Sequence, residues 1–286
     1  MIPFHRSSET KISALIADVD GTLVTNEKVL TDPTIAAVAL LRTHEIAFSV
    51  VSSRPPRGLR QLLETLRVTT PIAGFNGGMI TTPGMSVIEQ HMLSPEAARR
   101  AVDSVTTQGA RVWVFSGQDW LVRDSTDSYI DLEIRTVGFQ PTFVEQFGRA
   151  LDTVAKIVGV SDDFDLLAQC EPATRLALAG DATVALSQRY YLDITHPLAN
   201  KGTAVLAIAK LLAIPMAEIA VIGDGGNDVP MFAESGFSIA MGNAGPDVRR
   251  HARLVTSTNI DDGFARAVEQ FVLGDGTGSV QFPDST

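Results

Sequence analysis

Acidic residues fall in two tight groups, Asp18-Val19-Asp20-Gly21-Thr22 and Gly223-Asp224-Gly225-Gly226-Asn227-Asp228. A hydroxyl-bearing group, Ser52-Ser53-Arg54, lies between them in the chain. Carboxylates from Asp18, Asp20, Asp224 and Asp228 gathered in one crevice would repel and raise one another's pKa values. A hard divalent cation with oxygen ligands relieves that repulsion, and Mg²⁺ suits a few carboxylates, waters and a phosphate. Lys201, in Asn200-Lys201-Gly202-Thr203, supplies a further cation. Acids, magnesium, a lysine and hydroxyl donors together suit phosphoryl transfer, whose transition state needs positioning and charge neutralisation. Singly, each residue has a structural use: a strand-end aspartate forms turns, Ser52 caps, Lys201 is solvated. Their joint arrangement is what points to a site.

That arrangement requires strands that end at the clusters. Residues 12–17, 46–51 and 219–222 are short apolar runs of the buried parallel-strand type. Between the first two, Thr31-Asp32-Pro33 predicts a helix start, with Asp32 as N-cap and Pro33 at the first helical position. Leu59, Leu62, Leu63 and Leu66 recur at helical spacing. Residues 71–73 predict a third strand, closed by Asn76-Gly77-Gly78. Further strands are expected at 237–241 and 254–256. Strands alternating with helices predict a parallel sheet covered on both faces, and ligands bind such sheets beyond the carboxyl ends of the strands.

From about residue 82 the rhythm changes. Residues 111–115 and 120–123 predict paired strands about the turn Ser116-Gly117-Gln118-Asp119. A strand at 156–160 precedes a helix with Ser161 as its expected cap, and 182–186 with 190–194 predict a closing hairpin. The expected fold class is α/β, a Rossmann-like parallel sheet core with an inserted α+β domain. The core is expected over 1–81 and 189–273, the insert over 82–188, and a disordered tail over 274–286.

Bulk composition narrows the partners. Of 286 residues, 45% are hydrophobic and 20% charged, which suits a globular enzyme and excludes a disordered chain. The net charge of −10 disfavours nucleic acid and anionic membranes, and no lysine or arginine block offsets it. An anionic substrate must then be held by local charge, a metal or backbone N–H groups. The single cysteine, Cys170, leaves no internal disulfide or cysteine-based zinc site and suits a reducing compartment. No signal-like apolar run occurs before Lys11, and no stretch approaches the roughly 18–20 apolar residues of a membrane span. A cytoplasmic protein is expected.

At these residues the chain resembles the haloacid dehalogenase (HAD) superfamily, specifically its Cof-like phosphatase branch with a large α+β cap. The DxDGT motif stands as Asp18 to Thr22, followed by Leu23, and Ser52-Ser53-Arg54 matches the usual T-G-R with Ser53 in place of glycine. Asn76-Gly77 matches the turn after the third strand, Lys201 the motif lysine, and Gly223 to Asp228 the GDxxND motif. Ala240-Met241-Gly242-Asn243-Ala244 and Asn259-Ile260-Asp261-Asp262-Gly263 also fit the branch.

The resemblance implies a Mg²⁺-dependent phosphatase in which Asp18 attacks phosphorus and Asp20 is the acid and base. Asp18, the Asp20 backbone carbonyl and Asp224 would hold Mg²⁺, with Asp228 supporting it through water or an outer hydrogen bond. Ser52 and Lys201 would grip phosphate oxygens, with Thr22, Asn76 and Asn227 at the phosphate or substrate. The insert would be the cap that closes over a small phosphorylated metabolite, a sugar phosphate or similar. A phosphosugar mutase, or a silent regulatory or binding protein on the same fold, are the alternatives. Trp113, Trp120 and Cys170 read as packing, His196 as structural, and Arg54 and Arg57 as substrate contacts or solvated arginines.

Overall fold

The computed structural model describes residues 11–274 and two short strands, Pro3–Phe4 and Gly278–Ser279, which pair antiparallel. The tail expected over 274–286 otherwise lies outside the described residues. The central sheet has five parallel strands in the order Leu254–Val255, Phe237–Ala240, Ile219–Gly223, Ala14–Ala17, Ala47–Val50. Both faces are covered, which is why these strands read as continuous apolar runs. Leu15, Ala17, Ala220 and Ile222 face the helices Asp32–Thr43, Arg60–Leu66 and Gly263–Ala267. Ala14, Ile16, Ile219 and Val221 face Lys201–Leu212 and Val229–Glu234.

Two helix starts differ from expectation. The first helix is capped by Thr31, whose hydroxyl accepts from Thr34 N at 3.4 Å, and Asp32 is its first residue. In the insert, Asp163 caps Phe164–Leu178 by accepting from Leu166 N at 3.0 Å, while Ser161 Oγ accepts from Asp163 N. Both pairs hold two good capping residues one or two positions apart, and side-chain reach to N3 selects between them.

The third expected strand, Ile72–Gly74, joins the parallel sheet only through one bridge, Val51 to Ala73. It instead pairs antiparallel with Met79–Thr81, which pairs in turn with Val87–Gln90. The turn Asn76-Gly77 reverses the chain here, with φ of 57° and 101°.

The insert carries a six-stranded sheet in the order Thr183–Gln188, Tyr191–Thr195, Val154–Val160, Arg111–Ser116, Asp119–Val122, Thr142–Phe143. All its pairings are antiparallel except the last. Pro95–Thr107 and Phe164–Leu178, with buried Cys170, pack on one face. The other face carries Trp113, Phe115, Trp120 and Tyr191 and packs on Phe75 and Met79 of the first unit. Trp113 and Trp120 are fully buried there, as packing residues.

Strand pairing moves the expected boundaries. Val87–Gln90 belongs with Ile72–Gly74, and Tyr191–Thr195 is an inner strand of the insert's sheet. The chain therefore crosses after Gln90 and again after Thr195, later than 82 and 189, because hydrogen-bond register overrides composition as a boundary marker. At the two crossings the rings of His91 and His196 stack, with centroids 5.5 Å apart. Among the described residues, no helix is long and apolar enough to cross a membrane.

Candidate active site

Sheet register assembles the site. Ala17 lies opposite Val50 on one side and Ile222 on the other, so the strands end together. Asp18, Ser52 and Asp224 consequently emerge at one edge. Asp18 N donates to Ile222 O and Ser52 N to Ala73 O, both at 2.9 Å, so the exit directions are set by backbone pairing.

Lys201 joins two of the acids. Asn200 caps its helix by accepting from Thr203 N at 3.0 Å, which fixes Lys201 at the helix's first position. Its Nζ donates to Asp18 Oδ1 and to Asp228 Oδ1, each at 2.5 Å. Lys201 is 1% exposed, Asp18 4% and Asp228 0%, so these charges rely on one another rather than on water. Asp228 Oδ2 accepts from the backbone N–H groups of Asp224 and Gly225, both at 2.8 Å.

Two glycines make room for this packing. A Cβ on Gly223 would lie 2.4 Å from Asp228 Cγ, and one on Gly21 only 2.2 Å from Asp224 Oδ2. Gly21 also has φ of +81°, a conformation that side-chain-bearing residues rarely adopt. Asn243 ties the two loops together, donating through Nδ2 to Gly21 O at 2.9 Å and to Asp224 Oδ2 at 3.0 Å. Asn259 in turn orients Asn243, its N–H donating to Asn243 Oδ1 at 3.0 Å.

Asp18, Asp224 and Asp228 offer oxygens within 4.8 Å of one another. Burial raises the Asp18 carboxyl above its ordinary range, with Lys201 opposing and Asp228 and Asp224 adding. Burial, reinforced by Asp228, pushes Asp224 up to about 6. Burial works against the Lys201 charge, but Asp18 and Asp228 outweigh it and hold the ammonium above the usual lysine range. Three carboxylates thus face one ammonium, and an all-oxygen donor set of this kind fits a hard divalent cation. A buried and unpartnered hydroxyl, Thr22 Oγ1, lies in the same loop as Asp18 and Asp20.

Asp20 behaves differently. Its carboxylate lies outside the three-acid cluster and is held by Arg54 Nε at 2.7 Å, Arg54 Nη2 at 2.6 Å and Lys28 Nζ at 2.7 Å. Burial disfavours its charge, but Arg54 and then Lys28 prevail and hold the carboxyl at about 2. Ser52 is buried, and its Oγ accepts from Arg54 N at 3.1 Å. Asn76 N donates to Ser52 O at 2.8 Å, and Asn227 Nδ2 donates to Asn76 Oδ1 at 3.0 Å. Hydrogen bonds thus join Asp18, Lys201, Asp228 and Asp224 in one group, Asp20, Arg54 and Lys28 in a second, and Ser52, Asn76 and Asn227 in a third, with the Arg54 N–H donating to Ser52 Oγ between the last two.

Lys28, Asn243 and Asn259 enter the site only through the packing of distant loops. Lys156 and Asp193 are charges inside otherwise apolar strands, VAKIVGV and YLDIT.

Fold and site together define a phosphatase of the HAD superfamily, a class of phosphoric monoester hydrolase. The haloacid dehalogenase-like hydrolase family matches residues 15–268, and the chain belongs to it. It is 27% identical to the HMP-PP phosphatase of Cronobacter sakazakii, covering 81% of this chain and 84% of that protein. It is 23% identical to a 5-amino-6-(5-phospho-D-ribitylamino)uracil phosphatase of Bacillus subtilis, covering 93% and 98%. A haloacid dehalogenase-like hydrolase structure from Bacteroides thetaiotaomicron superposes with a TM-score of 0.84 at 25% identity, covering 91% of this chain and 100% of that one.

Proposed function

We propose that the protein is a Mg²⁺-dependent phosphatase that hydrolyses a small organic phosphate monoester through an aspartyl-phosphate on Asp18. The observation that carries this reading is Lys201 bridging Asp18 and Asp228 inside a three-carboxylate cluster at the strand ends. The family supports the reaction type, and relatives named for small phosphorylated metabolites support the substrate size.

In the first step an Asp18 oxygen attacks phosphorus, the bond from phosphorus to the leaving oxygen breaks, and Asp20 gives that oxygen a proton. In the second, Asp20 takes a proton from water as its oxygen attacks phosphorus, which releases phosphate and restores Asp18. Lys201 and Ser52 are the donors for phosphate oxygens, and Lys201 also opposes the upward shift that burial imposes on the Asp18 carboxyl, favouring the ionised form that attacks. The Arg54 grip keeps Asp20 ionised in the free protein, the form needed in the second step; protonation for the first requires that grip to loosen. Asn76 and Asn227 line the substrate side. Asp18, the Asp20 carbonyl and Asp224, supported by Asp228, would hold Mg²⁺, which would supply charge neutralisation for the phosphate and the attacking carboxylate.

Purified protein with Mg²⁺ is expected to hydrolyse p-nitrophenyl phosphate and members of a small phosphate panel, and chelation to stop it. Asp18→Asn is expected to lose roughly 10³-fold or more. A wild type inert towards every phosphate, or an undiminished Asp18→Asn, overturns the reading.

A further inference from the structure

Two segments singled out in the sequence, 240–244 and 259–263, carry no role in the proposed reaction. Both are packed too tightly for a side chain at their glycines. A Cβ on Gly242 would lie 2.8 Å from Thr256 O, and one on Gly263 only 2.0 Å from Ser257 O. Gly242 N–H donates to Ser257 O at 3.0 Å and Gly263 N–H to Thr258 O at 2.9 Å. The first bond ties the two segments together, and the second closes the turn that carries Asn259.

Asn259 is buried and bonds in two directions. Its backbone N–H donates to Asn243 Oδ1 at 3.0 Å, leaving Asn243 Nδ2 to donate to Asp224 Oδ2 and Gly21 O. Its side chain serves a different loop: Nδ2 donates to Val24 O at 3.0 Å and to Asn26 Oδ1 at 3.2 Å. Those acceptors begin a hairpin closed by the bridge between Val24 and Leu30, with Thr25 N–H donating to Val29 O at 3.0 Å. Beyond the hairpin, Thr31 Oγ1 donates to Asp262 Oδ1 at 2.9 Å, a second tie to the same segment. Lys28 stands in the hairpin's turn, with φ of 65°, and reaches Asp20 at 2.7 Å. One chain of hydrogen bonds thus runs from Asp224 through Asn243 and Asn259 to the hairpin that presents Lys28.

We infer that Asn243 and Asn259 are positioning residues that couple the Asp224 carboxylate to the 24–30 hairpin, so that steadying Asp224 also steadies Lys28 on Asp20. The inference rests on the Mg²⁺-dependent phosphatase reading and adds residues that act through others. A buried asparagine that served packing alone could satisfy its amide within its own turn; this one bonds across to two separate loops. Coupling between two loops is reciprocal, so a cation held at Asp224 and a docked hairpin favour one another.

Amide hydrogen exchange reads the hairpin without turnover. In wild type, saturating Mg²⁺ is expected to slow exchange over 24–30 by about tenfold. In Asn259→Ala the slowing is expected to fall below about twofold, with Mg²⁺ still bound by calorimetry. Asn26→Ala, an exposed change on the hairpin itself, is expected to cut the slowing by about half, and it decides the matter if Asn259→Ala fails to fold. No slowing in wild type, or equal slowing in wild type and variant, overturns the inference.

Turnover gives an independent reading. Asn259→Ala is expected to lose about tenfold in kcat alone, but less than about twofold when Lys28→Met is already present, because both changes act through one contact. Merely structural damage adds in full to the Lys28→Met loss, and that outcome also overturns the inference. Mg²⁺ binding without a response in the hairpin removes this inference only. No Mg²⁺ binding at all removes the magnesium reading with it.

Discussion

Arg54 holds both carboxylate oxygens of Asp20, Nε to Oδ2 at 2.7 Å and Nη2 to Oδ1 at 2.6 Å, with only 10% of the Arg54 side chain exposed. Bidentate pairs of this kind are the strong form of the interaction. A carboxyl depressed from 3.8 to about 2 contributes stability that is present above about pH 4. That contribution is lost as pH falls through the folded value. Arg54→Met is therefore expected to destabilise the protein by about 1–2 kcal/mol at pH 7, with the difference shrinking from pH 4 to pH 2. Urea unfolding of both proteins across that range checks it, and a pH-independent difference would contradict it.

Asp224 has the opposite sign. Its carboxyl is raised to about 6, so the native state holds the proton more tightly than the unfolded chain does. Stability from this group is full below about pH 4 and declines as pH rises towards 6. In chelator, Asp224→Asn is expected to melt higher than wild type, by about 1–2 kcal/mol above pH 6. Adding Mg²⁺ should raise the wild-type melting temperature and leave the variant unmoved. Equal responses to Mg²⁺ would remove Asp224 from the metal site.

Gly21→Ala tests how closely the two acidic loops approach. The new methyl would lie 2.2 Å from Asp224 Oδ2 at a φ of +81°. Displacing that carboxylate by about an ångström is expected to cost roughly 100-fold in kcat/KM. Weaker Mg²⁺ binding by calorimetry should accompany the loss, and full activity would show that the loops can part freely.

Lys201→Met leaves Asp18 and Asp228 buried without their shared partner. The expected cost is about 3–5 kcal/mol, together with the loss of activity. Adding Asp228→Asn should recover part of the stability and none of the activity, because it removes one unpaired charge without restoring the ammonium. Denaturant melts and phosphatase assays on the three proteins decide this.

The crevice was legible because its residues directly follow short buried strands, and strand order alone carries Asp18, Ser52 and Asp224 to one edge. Lys201 was legible beside Asn200 at a helix start. What escaped depends on packing between distant segments. Lys28 and Arg54 reach Asp20 through side-chain length and loop direction, which spacing does not encode. Ile72–Gly74 has the composition of a parallel strand, but the turn at Asn76-Gly77 folds it onto Met79–Thr81 instead. Lys156 and Asp193 share a face only once the register between their strands is known.

The two crossings between the units lie side by side, as the stacked rings of His91 and His196 show. A body tied to its neighbour by two adjacent pins does not swivel freely; it swings about the line through both, as a door does. Asp193 and Tyr191 are on the strand that leads directly to one of these pins, so their arc during such a swing is short. In such a swing, groups near the axis would keep their aim, and groups on the far strand, Thr142–Phe143, would travel furthest.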